Sequence, residues 1–392
     1  MNQYRIFISL FVYTLFLSSS FAEGVTQWRV LTDNEASLSP TAINAITFSP
    51  DGTRLAVASV NGITVYDTYT GEAVALLPSS MRYVTALAFS PDSRIVASAT
   101  EDATLHLWNV HTSEHITEFT NPTDPVVALA FSADGNTLAG GSLKEIRLWD
   151  LTLGQISHPT VLHGHRDMVT TLAFSPDSKT LASASFYGTI LLWDLDTSQS
   201  RHRLSAHTDS ILALTFSPDN QTLASGGYWN SDAESTIRVW HTQTGQLLTT
   251  FENYTTPVFA LTFAMDVYGV NESTLVSAGW DNAIRMWDLH TGQLQAIFGD
   301  TTAPVIALAF LSDANGSDGK TLASVSLDGT IQLRPLTASL TGIPSDVNDD
   351  GVVNILDLTF IASRFGQYSP DLNGDGVVNI LDLMLVAQRI GK

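Results

Sequence analysis

One stretch near the C-terminus is written twice. Asp346, Asn348, Asp350, Val352, Asn354 and Asp357 recur as Asp371, Asn373, Asp375, Val377, Asn379 and Asp382, and the runs beginning at Asp350 and Asp375 are identical through Leu358 and Leu383. Oxygen donors stand at positions 1, 3, 5, 9 and 12 of each copy, with Gly351 and Gly376 at position 6 for the sharp turn. Val352 and Val377 offer backbone carbonyls at position 7, and Asn354 and Asn379 act through water. Asp357 and Asp382 stand where Glu is usual, so the shorter side chain must be brought closer to the ion. Oxygen donors without His or Cys suit a hard dication, and the spacing points to two calcium ions, one per loop. An isolated Asp/Asn/Gly stretch is more often an ordinary polar turn. Two complete copies, each running into an apolar helical pattern, argue against that here.

The elements that must position these ligands are two short helices, expected over 355–365 and 380–390. Leu356, Phe360 and Ile361 share one face, and Leu381, Leu385 and Val386 share the matching face of the other. So small a unit has little core, so calcium belongs to its folding energy.

The rest of the chain is built differently. Phe-Ser-Pro-Asp, or a decayed form of it, begins at Phe48, Phe89, Phe131, Phe174, Phe216, Phe263 and Phe310. Each copy opens with an alternating strand, as at 169–174. A Pro-Asp turn, a small-residue strand (181–185) and a third strand ending in an aromatic (190–194) follow. A polar turn then leads to a fourth strand, as at 247–251. The period is two throughout, which excludes a helical solenoid. Four-stranded units of this length close radially into a propeller. Longer spacings after Phe216 and Phe263 reflect an extended loop at 228–235 and extra residues behind Phe263 and Phe310. The last unit supplies three strands, so residues 26–31 are expected to complete it and remove an open edge.

Residues 25–337 resemble a WD-repeat β-propeller with seven blades. The Trp-Asp ending stands at Trp149-Asp150, Trp193-Asp194 and Trp287-Asp288, with variants at Trp108-Asn109, Trp240-His241 and Tyr66-Asp67. The seventh unit departs, with Arg334 in the aromatic slot. Gly164-His165 keeps the family's Gly-His pair and Ala206-His207 varies it. The resemblance implies a structural hydrogen-bond tetrad in blade five, His207, Ser225, Asp232 and Trp240, with partial versions elsewhere.

The tandem at 344–392 resembles a type I-like dockerin, a calcium-dependent module that plugs into a cohesin domain. The resemblance implies a cohesin-type partner, recognised at loop positions 10 and 11: Ile355, Leu356, Ile380 and Leu381. One well-known dockerin class carries hydroxyl residues there, so these apolar pairs are either recognition residues of another class or part of the module's core. The near-identical halves would allow two binding orientations related by a half turn.

The 392 residues carry 39 acidic and 18 basic side chains, a formal net charge of −21, which repels a phosphate backbone and argues against nucleic-acid binding. Cysteine is absent, which excludes disulfides, thiolate metal sites and cysteine nucleophiles. Arg5, the apolar run 6–17 and the Ser-x-Ala ending at Ala22 read as a signal peptide over 1–22, cleaved after Ala22. The run is shorter than a membrane span needs, and no later segment is long and apolar enough to cross. The mature chain is expected to be exported, without a span, to the periplasm, the cell surface or the medium. The expected organisation is thus an all-β seven-bladed propeller (25–337), a linker (338–343) and a small α-helical calcium module (344–392).

No Gly-x-Ser-x-Gly elbow, phosphate-binding glycine loop or His-Glu-x-x-His occurs, and the chain is expected not to be an enzyme. The candidate binding surface is aromatic. Phe186-Tyr187, Tyr228-Trp229 and Trp280 open the loop after the small-residue strand in blades four, five and six. Corresponding loops share one propeller face, so these rings either form a patch for a protein or a glycan or pack inward against neighbouring blades. The sequence therefore reads as an exported scaffold that displays the propeller. The alternatives are a carbohydrate-active or carbohydrate-binding propeller, and a calcium module that is only a structural cap.

Overall fold

The computed structural model describes residues 26–29, 43–59, 62–78, 83–120, 124–152, 159–205, 207–227, 235–254, 256–264, 274–289, 291–299, 301–311 and 321–336. The expected signal peptide, the two expected calcium loops and the helices expected after them, with Ile355, Leu356, Ile380 and Leu381, and Tyr228, Trp229 and Asp232, lie outside them.

Seven antiparallel four-stranded sheets are arranged as the blades of a propeller. Blade four is representative, running Val169–Phe174, Thr180–Ser185, Thr189–Asp194 and Gln199–Ser205 from the inside outward. Innermost strands of successive blades touch one another. Ala45–Phe48 of blade one meets both Val84–Phe89 of blade two and Val305–Leu311 of blade seven, which closes the circle. Blade seven takes its outermost strand from the other end of the chain. Thr26–Arg29 pairs antiparallel with Thr330–Pro335, placing Trp28 opposite Ile331. The Trp28 indole N–H donates to the Thr68 carbonyl at 2.9 Å and its ring lies 5.8 Å from Tyr66, so this strand also rests on blade one.

The core lies between the blades. Among the described residues seven apolar clusters form, each drawn from two adjacent blades. In blades two to six the small residues of the second strand leave room for the indole near the end of the third. Trp108, Trp193, Trp240 and Trp287 donate their indole N–H to Ser98, Ser183, Ser225 and Ser277 at 2.7–3.0 Å, satisfying a buried donor with a buried hydroxyl. In blade three Gly140 replaces the serine, and a Cβ there would stand 2.7 Å from the Trp149 ring. Arg334, the departure in blade seven, is 4% exposed and lays its guanidinium 4.6 Å from the Phe298 ring centroid, replacing an aromatic contact by a cation–π one.

The Ser-x-Asp turns have a repeated polar logic. Ser90 donates to Asp92 at 2.6 Å, and that carboxylate accepts from the Arg94 N–H. The Ser90 contact, opposed by partial desolvation and reinforced by the Arg94 N–H, holds Asp92 below the ordinary carboxylate range. The following residue takes a left-handed backbone at Ser93, Ser178 and Asn220 (φ 59°, 59° and 63°). That conformation turns its side chain toward the preceding blade: Ser178 accepts from the Asp134 N–H at 3.0 Å and Asn220 from the Asp177 N–H at 3.3 Å. In blades four and five the turn between first and second strands is therefore also a clasp onto the preceding blade.

Candidate functional site

Antiparallel alternation puts the turns between second and third strands on the same face as the entries to the innermost strands. These two sets of loops are tied together. The N–H of Glu101, Phe186, Trp280 and Leu327 donates to the carbonyl of Tyr83, Met168, Pro257 and Pro304, at 2.7–3.0 Å. Each carbonyl immediately precedes an innermost strand, so the turn residues border the mouth of the central channel. Trp280 is 46% exposed and meets Phe259 edge to face, centroids 6.0 Å apart. Phe259 itself lines the channel. Tyr187 is 67% exposed and stands against the half-buried Phe186 at 5.2 Å. Tyr187 and Trp280 therefore present ring surface outward, while Phe186 is partly packed.

The loop bearing Tyr187 is held firmly. Gly188 follows it with φ 72°, and a Cβ there would meet the His207 carbonyl oxygen at 2.1 Å. Only glycine allows that approach, which seats the turn of blade four against the entry loop of blade five. Tyr83, 58% exposed, and Leu143, 41% exposed, belong to the same face. The sequence reading missed both. Their signal was position: Tyr83 directly precedes an innermost strand, and Leu143 opens the second-to-third-strand turn of blade three.

Two histidines lie beneath this face. His165 Nε2 and the Trp193 indole N–H both meet the Ser183 hydroxyl, at 2.7 and 2.8 Å. His207 Nε2 and the Trp240 N–H meet Ser225 likewise, at 2.7 and 2.9 Å. Burial lowers His165 to about 4, with Asp167 opposing and Arg203 assisting. Burial and Arg238 lower His207 to about 3. Burial thus favours the neutral form of both rings at pH 7, and their bonds to Ser183 and Ser225 pin the entry loops.

The channel is about 490 Å³ and is lined by the innermost strands, including Ile46, Thr47, Thr171, Leu212 and Thr262. None of the seven innermost strands contains a charged residue or histidine. Its wall offers apolar surface and hydroxyls. Among the described residues no helix is long and apolar enough to cross a membrane.

Six successive segments, 33–64, 71–109, 113–150, 157–194, 198–241 and 245–288, match the family described as "WD domain, G-beta repeat". Together they cover more than half of the chain. The chain belongs to the WD-repeat family. The matched unit is offset from the blade. Segment 71–109 begins at the outermost strand of blade one, Ala73–Leu77, and ends at the third strand of blade two, Thr104–Asn109. Each WD repeat thus bridges two blades, and the strand Thr26–Arg29 is what this offset leaves over for blade seven. That blade lies beyond the matched segments, and it carries Arg334 in place of the indole.

Residues 344–391 match the dockerin type I domain. Dockerins typically bind calcium and cohesins, and WD-repeat propellers bind proteins. Neither matched family is a catalytic domain. Similar proteins include periodic tryptophan protein 2 of Arabidopsis thaliana, 32% identical over 161 residues, which is 40% of this chain and 18% of that one. WD repeat-containing protein 1 of Bos taurus is 40% identical over 82 residues, 20% of this chain and 14% of that one. Protein groucho of Drosophila melanogaster is 31% identical over 117 residues, 29% of this chain and 16% of that one. The chain spans less than a third of the length of these curated relatives.

Proposed function

We propose that the protein is an exported scaffold. The dockerin attaches it to a cohesin-type partner in a calcium-dependent way, while the propeller face bearing Tyr187 and Trp280 engages a second ligand, a protein or a glycan. In this reading residues 1–22 are removed on export, 25–337 form the propeller, 338–343 the linker and 344–392 the attachment module. The carrying observation is the combination on one chain of a WD-repeat propeller with a dockerin segment whose two calcium loops are both complete in sequence. Asp346, Asn348, Asp350, Val352, Asn354 and Asp357 hold one ion, and their counterparts from Asp371 to Asp382 the other. Ile355, Leu356, Ile380 and Leu381 face the cohesin. Tethering one module raises the local concentration of whatever the other holds, so the mechanism is display.

The test uses the mature chain as bait against envelope and culture fractions of the source organism, with calcium and with chelator. The expected result is a cohesin-bearing protein captured in calcium and released by chelator. Asp350→Ala combined with Asp375→Ala should remove both calcium equivalents in calorimetry and abolish capture. Calcium-dependent folding of the module without any specific partner would sink the docking reading and leave a structural cap. On the propeller, Tyr187→Ala with Trp280→Ala should weaken ligand retention by roughly 2–4 kcal/mol with unchanged thermal stability, because exposed anchors carry binding and not packing energy. Retention unchanged in that variant would move the ligand to another surface.

A further inference from the structure

The outer edge of blade two carries a group that neither function uses. On the third strand, Thr104–Asn109, His106 lies directly across from Glu118 of the fourth strand, His115–Thr120. His106 Nδ1 is 3.2 Å from His115 Nε2 and 3.5 Å from a Glu118 carboxylate oxygen. We propose that His106, His115 and Glu118 form a surface site for a borderline dication of the Zn²⁺ class, distinct from the calcium loops.

Three observations carry this. First, ligands about 2.0–2.1 Å from a tetrahedral ion stand roughly 3.3–3.4 Å apart, close to two of the three separations, and all three ligand atoms lie within 4.8 Å of one another. Second, the third ligand is brought in by a backbone irregularity. His115 and Glu118 are three residues apart, so regular alternation would send them to opposite faces of the sheet. The register shifts between Leu107 and Trp108, so that Trp108 pairs with His115 and the extra residue turns His115 onto the face of His106. Trp108 then supports both rings, at 4.8 Å from His115 and 5.7 Å from His106, and is itself anchored on Ser98. Third, the ligand types belong to blade two alone. Four other blades shift register at the same point, but Ala73, Ser200, Leu247 and Leu294 stand where His115 does. Two imidazoles and one carboxylate favour Zn²⁺ or Cu²⁺ over the hard calcium ion. His115 and Glu118 are exposed, so an ion reaches the site freely and a fourth position stays open to water or to a ligand atom from outside.

The experiment titrates Zn²⁺ into the untagged full-length mature chain with calcium saturating, by calorimetry. It then repeats the titration with Co²⁺ and follows the visible absorption that distinguishes tetrahedral from octahedral ligation. One Zn²⁺ equivalent and a tetrahedral Co²⁺ spectrum are expected. Both should be lost in His115→Ala, and affinity should fall by at least the ~10–100-fold that even an outer partner of a metal ligand is worth in Glu118→Gln. His115 is exposed, so its replacement should leave the far-ultraviolet spectrum and the metal-free melting temperature unchanged. Zn²⁺ stoichiometry and Co²⁺ spectrum identical in the parent chain and in His115→Ala would overturn the proposal.

Discussion

Trp193→Ala should destabilise the propeller by about 3–5 kcal/mol, read as a lowered denaturation midpoint at unchanged denaturant sensitivity. The ring is 2% exposed and packs into the cluster between blades three and four. Its loss leaves a cavity that the surrounding strands cannot fill, because their backbones are locked into ladders on both sides. It also breaks a buried polar set, since the Ser183 hydroxyl accepts the indole N–H and is hydrogen-bonded to His165 Nε2. Trp193→Phe separates the two contributions. It keeps most of the volume and removes only the donor, so it should cost nearer the ~1–3 kcal/mol of a buried group left without its partner. A loss below about 1 kcal/mol for the alanine variant would mean that the cluster tolerates a void and that the blades are held mainly by backbone pairing.

Acidification should begin to weaken the propeller just below neutral pH, through two buried histidines. His165 and His207 are depressed to about 4 and about 3 in the folded state, against 6.5 for a free imidazole. Their stabilising contribution is fully present above pH 6.5. As pH falls below that value the unfolded chain takes up protons that the folded chain refuses, so stability declines until the folded values are reached. Between pH 7 and pH 5 the loss is about 2 kcal/mol for His165. It is about 1–2 kcal/mol for His207, whose ring keeps some contact with solvent. The Ser-x-Asp carboxylates act in the same direction over a lower window. Asp92 and Asp134, held below 3.8 by hydrogen bonds from Ser90 and Ser132, contribute stability that is lost only at still lower pH. Unfolding midpoints at pH 7 and pH 5 measure the effect. The double variant His165→Gln, His207→Gln should be less stable at pH 7 but lose most of the slope. A slope undiminished in the double variant would assign acid sensitivity to other groups.

Much of this was legible in the residues because it is periodic. Seven Phe-Ser-Pro-Asp copies, strands alternating with period two and third strands ending in an aromatic leave few packings, and the structure is the propeller they describe. Closure was legible by counting strands, since a last unit with three strands needs a fourth and residues 26–31 were the unpaired candidate, of which Thr26–Arg29 form the strand. The aromatic loops were legible as a face, because strand alternation assigns every turn to one end of the barrel. Which rings point outward was not. Phe186 and Tyr187 are neighbours in sequence, yet one is partly packed and the other 67% exposed. Tyr83 was passed over because its loop carries no repeated motif.

The sequence by itself determined the repeat, the number of blades, the offset closure and the doubled spacing of oxygen donors at 346–357 and 371–382. Each depends on residues near one another in the chain, or on a pattern repeated often enough to average out local exceptions. Only the tertiary structure decided what depends on distance across strands and blades. It set the burial that strips His165 and His207 of their charge. It set Arg334 over Phe298, which keeps a ring contact where the repeat had decayed. It also brought together His106, His115 and Glu118, whose spacing of nine and three residues matches no ligand motif. A one-residue shift in register aligns them, and such shifts are chosen by side-chain packing across the sheet, not by the residues that the shift brings into line.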